Sequence, residues 1–177
     1  MNLEWLEAVF LDRDGTIGGD ESIHYPGKFS LFPFTTSVID QLHSEKVNIF
    51  SFTNQPGIAE GKSSVHEFVN ELRGFGFDDI FICPHRIEEL CSCRKPNTGM
   101  LIEARDKYGL DLSNCAVIGD RWTDMLAASK TGSLKILVQT GAGKTTLEDP
   151  GVHSTELGVD FVAEDLQGAL EWLANKN

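Results

Sequence analysis

Two aspartates two residues apart, Asp12 and Asp14, follow the apolar run Ala8 to Leu11. Carboxylates that close repel each other unless a cation or a shared proton intervenes. A second acidic pair, Asp120 and Asp124, follows the run Cys115 to Ile118 through Gly119. If the two runs are neighbouring strands, these acids converge on one point. A hard cation with oxygen ligands, most simply Mg²⁺, would hold them there. Read alone, an Asp-x-Asp after a strand more often does no more than cap turns. The accompanying Thr53, which ends another apolar run, and Lys95 favour a site over turn capping.

A second constellation is Cys83-Pro84-His85, a five-residue gap, then Cys91-Ser92-Cys93. Three thiols and one imidazole fit a tetrahedral zinc site, and four protein ligands leave no open position, so such a zinc is structural. The other reading is a set of reduced cysteines in a loop, and spacing alone holds the two level. Arg94 and Lys95 follow Cys93 directly, so a clamp there would fix the backbone that presents both cations. Cys115 reads as a packed thiol, and His24, His43, His66 and His153 as surface residues. Trp5 and Trp172 read as packing residues; Trp122 stands apart because it lies between Asp120 and Asp124.

These residues need elements to position them. Strands are predicted at Ala8 to Leu11, Val47 to Phe52, Ile80 to Cys83, Cys115 to Ile118 and Lys135 to Val138, with a short edge strand at Asp160 to Ala163. Helices are predicted at Thr35 to Lys46 (capped by Thr35 or Thr36), Ser63 to Arg73 (capped by Ser63 or Ser64), Thr98 to Tyr108, Thr123 to Thr131 and Asp165 to Ala174. The alternation predicts an α/β fold with a doubly wound, mainly parallel sheet. Ligands of such sheets bind beyond the carboxyl ends of the strands, where Asp12, Asp14, Thr53 and Asp120 fall. Residues 17 to 34 read as a long loop whose Tyr25, Phe29, Phe32 and Phe34 form either a packed flap or a substrate-facing wall. Gly141 to Thr146 hints at a phosphate-binding P-loop but lacks its first glycine, Val138 standing there. With Leu147 to Gly151 read as a turn, the segment is expected to be a flexible loop, from which Lys144 could still approach a substrate.

The 177 residues suit one domain. The formal charge of −12 disfavours a long nucleic acid partner. No apolar run reaches the ~20 residues that cross a bilayer, and the N-terminal residues carry Glu4 and Glu7 where a secretory signal would be basic. The expectation is a cytoplasmic protein with no membrane partner, and a monomer.

Four segments in order, Phe10-Leu11-Asp12-Arg13-Asp14-Gly15-Thr16, Phe52-Thr53-Asn54-Gln55, Arg94-Lys95-Pro96 and Gly119-Asp120-Arg121-Trp122-Thr123-Asp124, resemble the motifs of the haloacid dehalogenase-like (HAD) hydrolases. The subgroup resembled contains histidinol-phosphate phosphatase and the heptose 1,7-bisphosphate phosphatases. The resemblance implies a HAD-like phosphatase domain over residues 1–177 without a large cap and with a zinc-binding loop at about 83–93. It makes Asp12 the nucleophile, giving an aspartyl-phosphate, and Asp14 the general acid and base. It gives Thr53 and Lys95 the phosphoryl oxygens. Mg²⁺ would bind Asp12, the backbone carbonyl of Asp14, and Asp120, with Asp124 supporting the metal or Lys95. Asn54 and Gln55 would orient the nucleophile region or contact substrate, with Arg94 and Arg121 as further substrate contacts. It also raises zinc at Cys83, His85, Cys91 and Cys93 above reduced thiols.

The implied substrate is a small phosphate ester. The zinc-loop spacing and Gly119-Asp120-Arg121 resemble the histidinol-phosphate enzymes. Asn54 to Ala59 and the Gly-rich tail at Val138 to Gly143 resemble the heptose enzymes, many of which carry Arg where Glu60 stands. A small sugar or amino-alcohol monophosphate is the expectation. Rival readings are a polynucleotide 3′-phosphatase, a phospho-accepting signalling domain, and a non-catalytic zinc-organised interaction module. Asp14 and the intact Asp12, Lys95 and Asp120 set count against the last two.

Overall fold

The most continuously apolar runs become the most enclosed strands: β1 (Ala8–Leu11) and β4 (Cys115–Gly119) are buried at every position. That is the signature of strands covered on both faces. The structure, a computed structural model, describes residues 3–149 and 158–176. Beside β1 and β4 lie β2 (Asn48–Asn54), β3 (Asp79–Cys83), β5 (Leu134–Val138) and β6 (Phe161–Ala163). All pairings are parallel, in the order β3-β2-β1-β4-β5-β6. This is the expected α/β architecture, and no large cap accompanies it among the described residues. The order reverses between β1 and β4, the topological switch point at which such sheets bind ligands.

Register sets the site. Leu11 lies opposite Ser51 on one side and Ile118 on the other. Asp12 therefore leaves β1 level with the end of β4, where its N–H donates to Ile118 O at 3.0 Å. β2 runs to Asn54 rather than stopping at Phe52, because Phe52, Thr53 and Asn54 pair with Phe81, Ile82 and Cys83. The first zinc-type ligand is thereby bolted to the strand that carries Thr53.

Side-chain alternation sends Val9, Leu11, Ile49, Ile118 and Val138 to one face and Phe10, Phe50, Phe52, Val117 and Leu137 to the other. Helices α1 (Thr35–Ser44) and α6 (Leu166–Asn175) cover the first, with Leu72 of α2 (Val65–Gly74). Helices α3 (Gly99–Tyr108) and α4 (Trp122–Thr131) cover the second. There Phe50 packs against Phe10 and Phe81 at ring separations of 5.4 and 5.6 Å. Each such ring contributes about 2–3 kcal/mol of burial, so this stack is a firm floor under the strand tips.

Local signals explain most helix ends. Ser64 accepts from the Glu67 N–H while the Glu67 carboxylate accepts from the Ser64 N–H, a capping box that starts α2. Asp165 caps α6. Neither expected threonine caps α1: it starts after Phe34 without a side-chain cap, because the Thr35 hydroxyl donates to Ile17 O at 2.7 Å. No helix among the described residues is long and apolar enough to cross a membrane.

Two segments are corrected or resolved. The expected flexible loop after β5 contains a short helix, α5 (Gly143–Leu147). Its turn forms because Gly143 fits where a Cβ would overlap Val138 O, and because the Thr146 hydroxyl donates to Asp120 O. The 17–34 segment is irregular apart from isolated bridges at Gly18. Its Phe29 is buried against Phe75, and Phe32 lies tilted against Phe34. These three rings are packing, and Tyr25 lies against Gly57. His153 lies outside the described residues.

Candidate active site

Asp12, Asp120 and Asp124 converge: one carboxylate oxygen of each lies within 4.8 Å of the others. Asp120 and Asp124 are fully buried and Asp12 nearly so. Lys95 reaches in from the Arg94-Lys95-Pro96 turn. Its Nζ sits 2.8 Å from Asp12 Oδ1 and 2.6 Å from Asp124 Oδ1, and donates to Phe52 O at 2.6 Å. Burial works against the charge on Lys95, but Asp12 and Asp124 more than offset it and hold its pKa above the ordinary lysine value. The same geometry leaves Asp120 short of positive charge. Burial, then the Asp12 and Asp124 charges, push its carboxyl up to about 8. Burial raises Asp124 to about 6 despite Lys95.

The Asp120 carboxylate is aimed with care. Its Oδ2 accepts from the Ala142 N–H at 2.7 Å. A Cβ on either Gly15 or Gly141, both at positive φ, would overlap that oxygen, so the two glycines are a steric condition of the site. Asp120 Oδ1 is buried with no hydrogen-bond partner among the described residues. An orphaned carboxylate oxygen among three clustered acids is a donor set that fits a hard divalent cation.

Asp14 occupies a different environment. Arg13 Nη1 donates to its Oδ1 at 2.8 Å, and the His24 N–H at 3.1 Å. Gln55 Nε2 donates to its Oδ2 at 2.8 Å and to Thr53 Oγ1 at 3.0 Å. Burial raises the Asp14 pKa above the usual carboxyl value, against the pull of Arg13. That tilts Asp14 toward its protonated form relative to a free carboxyl.

Asp12, Asp14, Thr53, Asn54, Arg94, Lys95 and Arg121 all line one cavity of about 670 Å³. Gln55 does not: it is fully buried and its Nε2 donates to Asp14 and Thr53, which favours the orienting role over the substrate contact among the two expected of it. Asn54 faces the cavity and also clamps the lysine turn, accepting from Lys95 N and donating to Lys95 O. Arg94 Nη1 donates to His85 O, and Arg121 Nη2 to Glu21 O. Lys144 does not line the cavity; its neighbour Thr146 does.

Apart from Trp122, the sequence reading overlooked the apolar mouth. Ile23, Ile87, Leu90 and Trp122 line the opening and are 40, 63, 88 and 44% exposed. It also overlooked the support given to Asp120 by Gly141 and Ala142. The glycines just past a strand tip were the available signal.

The second constellation closes as well. Cys83 Sγ lies 3.5 Å from Cys91 Sγ and 3.7 Å from His85 Nδ1. Cys93 Sγ lies 3.4 Å from Cys91 Sγ and 3.2 Å from His85 Nδ1. Zinc bonds of about 2.0–2.3 Å at tetrahedral angles place ligand atoms roughly 3.5–3.8 Å apart. The four residues therefore fit a closed zinc site.

Comparison with known proteins places this geometry. The HAD-hydrolase-like family model matches residues 92–169. A D-glycero-beta-D-manno-heptose-1,7-bisphosphate 7-phosphatase of Vibrio cholerae is 38% identical over 76% of this chain and 82% of its own length. The enzyme of the same name from Bordetella bronchiseptica is 31% identical over 95% of this chain and 98% of its own. The chain belongs to the HAD-like phosphatases. A crystal structure of the D,D-heptose 1.7-bisphosphate phosphatase from B. bronchiseptica, complexed with magnesium and phosphate, superposes with a TM-score of 0.83 at 30% identity. It covers 97% of this HAD-like phosphatase and 100% of that chain.

Proposed function

We propose that this HAD-like phosphatase, acting as one domain with a zinc-binding loop at about 83–93, hydrolyses a small sugar phosphate through an aspartyl-phosphate on Asp12. The observation that carries the reading is the union of three buried acids with Lys95 at the switch point, beside a separately held Asp14. Mg²⁺ would be held by Asp12, the Asp14 carbonyl and Asp120, with Asp124 behind them. When bound it offsets the repulsion between a carboxylate nucleophile and a phosphate dianion. The orphaned Asp120 oxygen and the magnesium and phosphate in the B. bronchiseptica enzyme support that assignment.

Lys95 holds Asp12 by one oxygen and turns its carboxylate toward the cavity, where it attacks phosphorus. The bond to the leaving alkoxide breaks as Asp14 delivers its proton to that oxygen. Asp14, now ionised, takes a proton from water, which attacks the acyl phosphate. Inorganic phosphate leaves and both aspartates return to their starting states. Thr53 and Lys95 hold phosphoryl oxygens as charge develops. Zinc at Cys83, His85, Cys91 and Cys93 would fix the turn bearing Arg94 and Lys95.

The names of the relatives favour a sugar phosphate over an amino-alcohol phosphate, and heptose 1,7-bisphosphate is the first ester to test. Glu60 lies off the cavity and pairs with Lys62. Any distal phosphate would therefore meet Arg94 or Arg121. The test is a panel of phosphate esters assayed with Mg²⁺ in the wild type and in Asp12→Asn. Turnover of sugar phosphates abolished by the substitution supports the reading. Hydrolysis surviving in Asp12→Asn overturns it.

A further inference from the structure

Arg13 is fully buried between two rings, with its guanidinium carbon 3.8 Å from the Phe29 centroid and 5.0 Å from that of Phe68. Nothing in the reaction above uses it. Its Nε and Nη2 donate to Glu71 Oε2 at 3.1 and 2.6 Å. Its Nη1 donates to Asp14 Oδ1 at 2.8 Å and to His24 O at 2.6 Å. The other Glu71 oxygen accepts from the Gly27 N–H at 3.1 Å. Glu71 stands on α2, outside every motif, with a side chain only 10% exposed. A buried ion pair is costly to desolvate, and packed apolar residues of similar volume would often serve stability as well or better. A pair kept here asks for another use.

The planar guanidinium supplies it. Its donors lie in one rigid fork, so the orientation of one edge fixes the other. Glu71 seizes the Nε–Nη2 edge, and the Nη1 corner is thereby aimed at Asp14. The two rings prevent the plane from tilting. Gln55 restrains the opposite Asp14 oxygen, so the carboxyl is held from both sides. We infer that Glu71 is a positioning residue, which acts through Arg13 to set the direction in which Asp14 presents its carboxyl to the leaving oxygen. The same carboxylate ties Gly27 of the 17–34 loop to α2, so loop and acid share one anchor. This inference rests on the role proposed for Asp14.

The test uses full-length protein with Mg²⁺ and compares kcat/KM for a sugar phosphate and for p-nitrophenyl phosphate. That constant reports steps only through phosphoryl transfer. A sugar alkoxide needs a proton to leave, and nitrophenolate does not. General acid catalysis is worth about 10²–10⁴, so a misaimed acid in Glu71→Gln should cost the sugar phosphate about 10-fold or more. The nitrophenyl ester should lose less than about 3-fold. Equal losses on the two esters, or none, overturn the inference. If Glu71→Ala fails to fold, the near-isosteric Glu71→Gln still carries the comparison. A readout without turnover separates this inference from the phosphatase reading. Hydrogen exchange at the His24 amide, which is bonded to Asp14, should accelerate in Glu71→Gln. Unchanged protection there sinks the positioning role by itself, whereas a wild type that cleaves neither ester sinks the phosphatase reading.

Discussion

Replacing Lys95 by methionine keeps the bulk of the side chain and removes its charge from the centre of the site. The ammonium makes ion pairs of 2.8 Å to Asp12 and 2.6 Å to Asp124. At an effective dielectric of about 20, each is worth roughly 6 kcal/mol of attraction, opposed by the desolvation of all three groups. Breaking such a pair from one side typically costs about 3–5 kcal/mol, because the partners remain buried and unpaired. That is a large part of the ~5–15 kcal/mol by which a domain is stable. Urea denaturation of Lys95→Met without metal should show a loss of this size. Adding Asp124→Asn should recover about half, since one orphaned charge disappears. Activity behaves differently: the loss of a cation facing the transferring phosphoryl group should lower kcat by about 10²–10³ in the single and double variants alike. A Lys95→Met protein as stable as wild type, or a double variant no more stable than the single, would refute the shared ion pair.

Cys91→Ser should lower activity while increasing hydrogen exchange across residues 84–95, and full activity and stability after verified zinc removal would contradict a structural clamp. Magnesium should raise the melting temperature more at pH 8 than at pH 5. The raised Asp120 carboxyl binds a proton more readily folded than unfolded, so without metal its contribution to stability falls as pH rises from about 4 toward about 8, and a cation relieves that loss. Equal shifts at the two pH values would place the ion elsewhere. Trp122→Ala should raise KM for a sugar phosphate by about 2–10-fold with little change in kcat, the scale of one aromatic contact; a kcat effect alone would mean that the ring does not touch the leaving group.

The parts of this molecule legible in its sequence are those determined over short stretches. The run Ala8 to Leu11 with Asp12 and Asp14 directly behind it encodes both a buried strand and what hangs from its tip. Cys115 to Asp120 does the same. The cap of α2 is local too: Ser64 is one of the two serines expected there, although the sequence reading overlooked its capping-box partner Glu67. Helix α5 was not legible, because its turn depends on contacts with Val138 and Asp120 that the fold creates. The α1 cap failed for the same reason, since Ile17 outcompeted the helix for the Thr35 hydroxyl. The Arg13–Glu71 pair spans 58 positions and ends on a helix that carries none of the four motifs. No spacing rule connects those two residues.

The site divides its acids by the company they keep. Asp12 and Asp124 share Lys95, Asp120 is left without a partner for one oxygen, and Asp14 belongs to Arg13, Gln55 and the 17–34 loop. Carboxylates of one chemical type are thus given unlike surroundings by position alone. Burial favours the protonated form of Asp14 against the pull of Arg13, while a lysine and a carboxylate oxygen with no hydrogen-bond partner suit the others to meet a cation and a phosphate. The two functions are carried on separate supports. Asp14 is braced through α2, whereas Lys95 is braced through the Asn54 clamp and, if zinc binds as proposed, through the Cys83–Cys93 loop. Disturbing one support should therefore leave the other in place. Glu71 substitutions should change discrimination between leaving groups, and zinc-loop substitutions should weaken the hold on phosphate whatever alcohol is attached to it.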